Sequence, residues 1–205
     1  MAEPSDTSPT RSVVIELKDE RRAMHEGYVF LDEKCLLLAA EILRELELHA
    51  RLQRNLLALH ERASAALRTA VLRHGLQGLQ VYPAADLDAA QLRMHAHALM
   101  GVRLQEAELD TAAATPAAES VERSPEAQAC RDAFAALLSA AASVAAVAGN
   151  LERLSLEYRR SVRRARALQD VMLPELDATI GDIESRLEEL ERDEAIFGRV
   201  RPGGG

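Results

Sequence analysis

The reading of the fold turns on one stretch, RRSVRRARALQDVMLPELDATIGDIESRLEELERDEAIFGRVR, residues 159–201. Leu176, Ile180, Ile183, Leu187, Leu190 and Phe197 recur at steps alternating between four and three, interrupted by Glu194. That period lays one apolar seam along a long helix, as in a strand of a coiled coil. Glu184, Glu188 and Glu191 alternate with Arg186 and Arg192 on the other faces, so the seam leaves water only against a partner helix. Pro174 sits inside the pattern. It removes the backbone bond to the carbonyl of Asp170 and costs roughly 3 kcal/mol in a straight helix interior. The apolar phase runs on from Leu176, which predicts a kink and not a stop.

Composition agrees with long helices packed in pairs. Aromatics are 3% of the 205 residues, tryptophan is absent, and charged residues are 28%. Ala and Leu carry the apolar share, as in coiled coils. A formal charge of −8 argues against a general nucleic-acid binder, which needs a basic footprint. The first ten residues, MAEPSDTSPT, are polar and lack the apolar core of a signal peptide, so residues 1–11 read as a disordered lead-in.

The seam of a second helix runs from Val14 to Ala70. One heptad position carries Val14, Tyr28, Cys35, Ile42, Leu56, Ala63 and Ala70, interrupted by Arg21 and His49. The other carries Leu17, Met24, Leu31, Leu38, Leu52, Leu59 and Ala66, interrupted by Glu45. No proline lies between Pro9 and Pro83, so one helix of about 60 residues, roughly 90 Å long, spans residues 12–74. Such a helix cannot bury its seam against itself, and the C-terminal helix is its partner. Arg21, Glu45 and His49 read as polar seam residues that fix register.

Cys35 and Cys130 are too few for a disulfide framework or a cysteine metal site. In an antiparallel hairpin of helices they stand about 45 residues apart, roughly 65 Å of helix. A disulfide needs Cα atoms within about 7 Å, so the two remain reduced, as the cytoplasm permits.

The helical pattern breaks at His74-Gly75, and residues 75–125 read as a small head. LQGLQVYP and LMGVRLQ are short apolar runs bounded by Gly and Pro, readable as strands of a short hairpin around a polar, partly helical piece from Ala84 to His97. Thr111 to Pro125 reads as a mobile loop. Helix resumes near Pro125-Glu126 and covers residues 126–198, leaving 199–205 as a flexible tail. Residues Ala133 to Leu151 carry no charge, near the length of a membrane span. Their Ala, Ser, Gly149 and Asn150 content favours close helix packing instead.

No catalytic, cofactor or metal constellation stands out. His95 and His97 are two apart, which suits neither one helix face nor a zinc spacing. There is no phosphate loop, no GxSxG and no HExxH. The strongest local anomaly is basic: Arg159, Arg160, Arg163, Arg164 and Arg166, of which Arg160, Arg163 and Arg164 share a helix face. It reads as a solvated face or a contact for an acidic protein surface; without interleaved aromatics it is not a nucleic-acid site.

Three segments in order resemble the D subunit, the central-stalk rotor subunit, of V-type and archaeal-type (V/A) rotary ATPases. Near the start, Pro9-Thr10-Arg11, Leu17-Lys18, Gly27, Leu31 and Lys34 are similar to the family's PTR…LK…G…LL..K order. In the middle, Met100-Gly101-Val102-Arg103 resembles its MGV(K/R) strand. Near the end, Arg163-Arg164 and Ala167-Leu168 resemble RRxxAL, and Pro174 with Leu176 resembles PxL. Thr179-Ile180, Ile183, Leu187-Glu188-Glu189 and Glu191-Arg192 then follow TIxxIxxxLEExER. The chain departs from the family at Ala165-Arg166, at Gln169 and after Phe197.

The resemblance implies an all-α-dominated fold: a long antiparallel two-helix coiled coil with a small head and hairpin. It implies a non-catalytic rotor shaft with no cofactor, seated in a catalytic hexamer of A and B subunits. The head would face the F subunit and the component that links the stalk to the membrane ring. It also implies a cytoplasmic place at the plasma membrane, without a span of its own. Rotor contacts implied are Arg11, Lys18, Met100, Val102, Arg103, the arginine cluster, Glu188, Glu189 and Arg192. A cytosolic coiled-coil adaptor, such as a flagellar-export stalk protein, is the competing class. It shares the helical hairpin but needs neither the PTR start nor the MGVR segment.

Overall fold

The computed structural model describes residues 10–82, 90–110 and 124–200, the last three by backbone alone. Helix α1 (Arg11–Leu79) is followed by strands β1 (Gln91–Leu99) and β2 (Val102–Asp110), helix α2 (Pro125–Ala167), a π-helical turn (Leu168–Met172) and helix α3 (Leu173–Val200). This is the fold of long helices that the heptads predict, with the small hairpin expected from the Gly- and Pro-bounded runs. Most of the lead-in expected over 1–11 (1–9), part of the polar piece (84–89), most of the loop (111–123) and the end of the tail (201–205) lie outside the described residues.

Helix α1 opens on Thr10, whose hydroxyl accepts the Val13 N–H at 3.4 Å as an N-cap. At its far end Gly75 leaves the helical region with φ 71 and ψ 165, a backbone that only glycine adopts without strain. The chain divides into two compact units, Met1–Leu36 with Arg159–Gly205, and Leu37–Tyr158.

In the first unit α1 pairs with α3 antiparallel. Arg11 meets Glu191 at 2.5 Å, Lys18 meets Glu184 at 2.6 Å, and Arg21 meets Asp177, so the partner number falls as the α1 number rises. Val14 and Ile180 are buried between these pairs, and Leu17, Met24, Tyr28, Leu31 and Cys35 are half-buried. The pairs themselves are exposed and screened by solvent, so they add little to stability. The apolar residues between them supply the cohesion; the charges set which residues face each other.

The returning helix buries Ser161, Ala165 and Ile180 and half-buries Leu168, Leu173, Leu176, Ile183 and Leu187. Steps of four and three relate these residues, except for five from Leu168 to Leu173. The irregular step coincides with the π turn, closed by Leu173 N–H donating to the Leu168 carbonyl. A π turn admits one extra residue and sits just before Pro174, which cannot donate to Asp170. The helix therefore continues through the proline, and the lost bond falls where the ladder is already widened.

In the second unit the core is Leu38, Val102, Leu104 and Leu154, with Ile42, Leu99 and Tyr158 against it. Farther along α1, Ala63 and Ala70 are fully buried. The start of α2 is fixed by Ser124-Pro125-Glu126. Ser124 Oγ accepts the Ala127 N–H at 3.2 Å and lies 2.6 Å from His74 Nε2 on α1. Pro125 takes the first helical position, where a missing N–H costs nothing. Glu126 accepts from the Ser124 hydroxyl at 3.2 Å and pairs with Arg73 at 3.4 Å.

The hairpin differs from the sequence expectation in its boundaries. Leu76–Leu79 belongs to α1, not to a strand, and residues 91–97 are strand, not helix. Leu92, Met94, Ala96 and Ala98 alternate with Arg93, His95, His97 and Leu99, a period of two that the Gly-bounded runs on either side obscured. Met100 and Gly101 are not strand either. They form the two-residue turn, both at positive φ (49° and 84°), as a hairpin whose turn follows the strands' own twist requires.

The uncharged part of α2 lies in a helix long and apolar enough, by length and composition, to cross a membrane, and 11% of that helix's most apolar stretch is buried. Two of its polar side chains, Ser143 and Asn150, are spent on β2 (below). Cys35 and Cys130 are both free thiols, and burial is the main cause holding each above its usual pKa.

Candidate functional site

Three groups of side chains are arranged in a way that packing alone does not require. The first is the docking of β2. Its outer edge exposes the backbone groups of Arg103, Gln105 and Ala107, which a third strand would normally satisfy. Helix α2 does so with side chains. Asn150 Oδ1 accepts the Gln105 N–H at 2.8 Å and Nδ2 donates to the Gln105 carbonyl at 3.0 Å. Arg153 Nε donates to the Arg103 carbonyl at 2.9 Å, and Ser143 Oγ to the Ala107 carbonyl at 3.4 Å. Asn150 also accepts from Arg153 at 2.6 Å and donates to Glu45 at 3.5 Å.

Glu45 is the buried charge in this group, 9% exposed. Burial pushes its carboxyl above the ordinary range, the Asn150 amide opposes that shift, and Glu41 and Glu106 add to it while His97 works against it. Sequence reading singled out Glu45 as a polar seam residue but missed Asn150, Arg153 and Ser143. The available signal was an amide, Asn150, set in an otherwise small and apolar run. Beside the group, a groove of about 440 Å³ opens between α1 (Leu48, Leu52), the hairpin (His95, Glu106) and α2 (Ala146, Val147).

The second group is the arginine cluster. Arg159, Arg160, Arg163, Arg164 and Arg166 are all exposed near the end of α2, while Ser161 and Ala165 between them are buried. The helix thus turns its small residues inward and its guanidinium groups to solvent. The third group is the charged end of the α1–α3 pair. The Glu191 carboxylate, hydrogen-bonded to Arg11, raises the pKa of that guanidinium. Arg192 reaches Glu188 at 3.2 Å, one turn back, and Glu189 is exposed. Leu190 is 50% exposed.

Of the hairpin residues named from sequence, Val102 is buried in the core, whereas Met100 and Arg103 are exposed. Leu38 is fully buried, and Leu52 and Leu59 are half-buried. His95 and His97 lie on one face of β1, across from Glu106 and Leu104. Among the described residues, no group of three or more His, Cys, Asp or Glu is placed to hold a metal ion.

A family model, that of the ATP synthase D subunit, matches residues 13–199 and so takes in nearly all of the three helices and the hairpin. The chain belongs to the ATP synthase D-subunit family. It is 28% identical over 187 residues to the V-type ATP synthase D subunit of Thermotoga neapolitana, covering 91% of this chain and 92% of that one. It is 27% identical over 196 residues to the A-type ATP synthase D subunit of Pyrococcus abyssi, covering 94% and 92%. To the A-type D subunit of Methanoregula boonei it is 27% identical over 192 residues, covering 92% of each. Within the D-subunit family match, the Asn150 group and the arginine cluster both fall well inside the matched span.

Proposed function

We propose that this D-family chain is the central rotor shaft of a V/A-type ion-translocating ATPase or synthase. It couples ATP hydrolysis or synthesis in a hexamer of A and B subunits to ion transport through a membrane ring. The shaft is not itself catalytic. It works beside the F subunit and the component that joins the stalk to the ring, on the cytoplasmic face of the plasma membrane and with no span of its own. The reading rests on family membership across residues 13–199. What carries it physically is the antiparallel α1–α3 pair, because a torque-bearing element has to resist twisting. Paired helices with a shared apolar seam do so, and their exposed faces carry charges able to make shallow, reversible contacts at successive angular positions.

A cytosolic coiled-coil adaptor would share the paired helices. The decisive experiment is a native pull-down of this chain from detergent-solubilised membranes, with identification of co-purifying proteins and an ATPase assay. Recovery with nucleotide-binding A- and B-type subunits and ATP hydrolysis supports the rotor. Recovery from soluble extract alone, without nucleotide-binding subunits, sinks it in favour of the adaptor.

A further inference from the structure

The two edges of the hairpin are treated differently. The β2 edge is closed by Arg153, Asn150 and Ser143. The β1 edge has no strand or side chain against it among the described residues, and Gln91–Ala98 is exposed at every position. Gln105 spends its N–H and carbonyl on Asn150 and faces Ala96 across the hairpin. By the alternation of an antiparallel ladder, the N–H and carbonyl groups of Leu92, Met94, Ala96 and Ala98 then point outward from β1. An edge exposed over the eight residues Gln91–Ala98 is a template for another strand.

The two faces of β1 say what that strand is like. Leu99, His97, His95 and Arg93 share a face with Val102, Leu104, Glu106 and Glu108, the first two of which enter the core. The opposite face carries Ala98, Ala96, Met94 and Leu92, so the apolar row looks away from the core, with Leu92 54% and Met94 49% exposed. A strand added to β1 meets two imidazoles and the Arg93 guanidinium, which also pairs with Asp110 at 2.7 Å, on one face and four apolar side chains on the other. The strand β1 already accepts has that alternation: Glu106 faces His95, Glu108 faces Arg93, and Ala107 and Leu109 face Met94 and Leu92. Pairing β1 with a second copy of itself would set Arg93, His95 and His97 of both chains on one face with no carboxylate from the added strand opposite them, whereas an acidic strand supplies one.

We propose that the open edge of β1 is a docking site for an extended segment of another protein, alternating acidic and small apolar residues, which adds as a third strand to the hairpin. This stands apart from the rotor reading, since it rests on the hairpin alone and is tested on the isolated chain.

The test uses the full-length chain and two synthetic nine-residue peptides. One has the β2 sequence VRLQEAELD; its twin carries lysine at the three acidic positions. Amide hydrogen exchange is followed by NMR during titration. The expected result is saturable binding, with exchange at Leu92, Met94, Ala96 and Ala98 slowed at least about tenfold. The lysine twin binds at least about fivefold more weakly. Ala96→Pro, which deletes an outward N–H but no bond of the hairpin ladder, abolishes the protection. Leu92→Ser with Met94→Ser leaves the backbone unchanged and weakens binding about threefold or more. Unslowed exchange at millimolar peptide overturns the proposal. So does equal binding of the twin, or unchanged binding by both variants. Protection that appears without peptide and grows with chain concentration assigns the edge to a second copy and overturns it equally.

Discussion

The side-chain amide of Asn150 hydrogen-bonds both backbone groups of Gln105, so a helix residue stands in for one residue of a β-strand. The substitution is possible because a primary amide carries the same donor and acceptor as a peptide unit. Asn150 is 2% exposed, so neither water nor a rearranged surface can replace it.

Asn150→Ala strips partners from the N–H and carbonyl of Gln105 and from the buried Glu45 at once. A loss of about 2–4 kcal/mol in urea unfolding is expected. Asn150→Asp is expected to do worse at neutral pH than at acid pH, because it cannot donate to the Gln105 carbonyl and sets a second carboxylate beside Glu45. A urea midpoint unchanged by either variant would show that the hairpin docks by other means.

Glu45 and Glu126 are expected to give pH dependence of opposite sign. The Glu45 carboxyl is raised, chiefly by burial, so its contribution is fully present below the ordinary carboxylate range and is lost as pH rises through the raised value. The Glu126 carboxyl is lowered, first by its own backbone N–H, which outweighs an opposing burial effect, and then by Arg73, Ser124 and His74. Its contribution is present above the ordinary range and is lost as pH falls through the lowered value. Glu45→Gln should therefore stabilise the chain at pH 7 with little change at pH 4, and Glu126→Gln should destabilise it at pH 7. Thermal unfolding across that range measures both, and a destabilising Glu45→Gln at pH 7 contradicts the first.

Pro174→Ala restores a donor toward Asp170. In a straight helix interior the gain would approach about 3 kcal/mol. With the π turn already widening the ladder at Leu168–Met172, a gain of about 1 kcal/mol is expected instead. Chemical denaturation reads the difference.

Reversal of charge at Arg163 and Arg164 tests the rotor contacts. Both side chains precede the buried Ala165 without replacing it, so the double variant Arg163→Glu, Arg164→Glu should keep its helical circular dichroism. ATP-driven rotation of the assembled complex should fall severalfold if these guanidinium groups meet acidic surfaces during the cycle. Unchanged coupling would remove the cluster from the mechanism.

The long helices were legible because a seam repeating every three and four residues has one physical solution, a partner helix. The hairpin was legible in kind but misplaced. Its β1 strand turns Leu92 and Met94 outward and His95 and His97 toward the core side, inverting the polarity by which half-buried strands are recognised. Asn150, Arg153 and Ser143 could not be found from spacing, since their partners are backbone groups some forty residues away that any sequence supplies. The Ser124 cap could have been found: Ser-Pro-Glu ahead of a helical run carries its own signal.

The five-residue step at the π turn amounts to a single-residue insertion that the fold has absorbed without a loop. The returning helix therefore uses one more residue than its heptads require. An alignment gap of one residue belongs inside Leu168–Met172, where the helix has slack. Moved a few turns either way, the same gap would rotate every downstream residue off the seam.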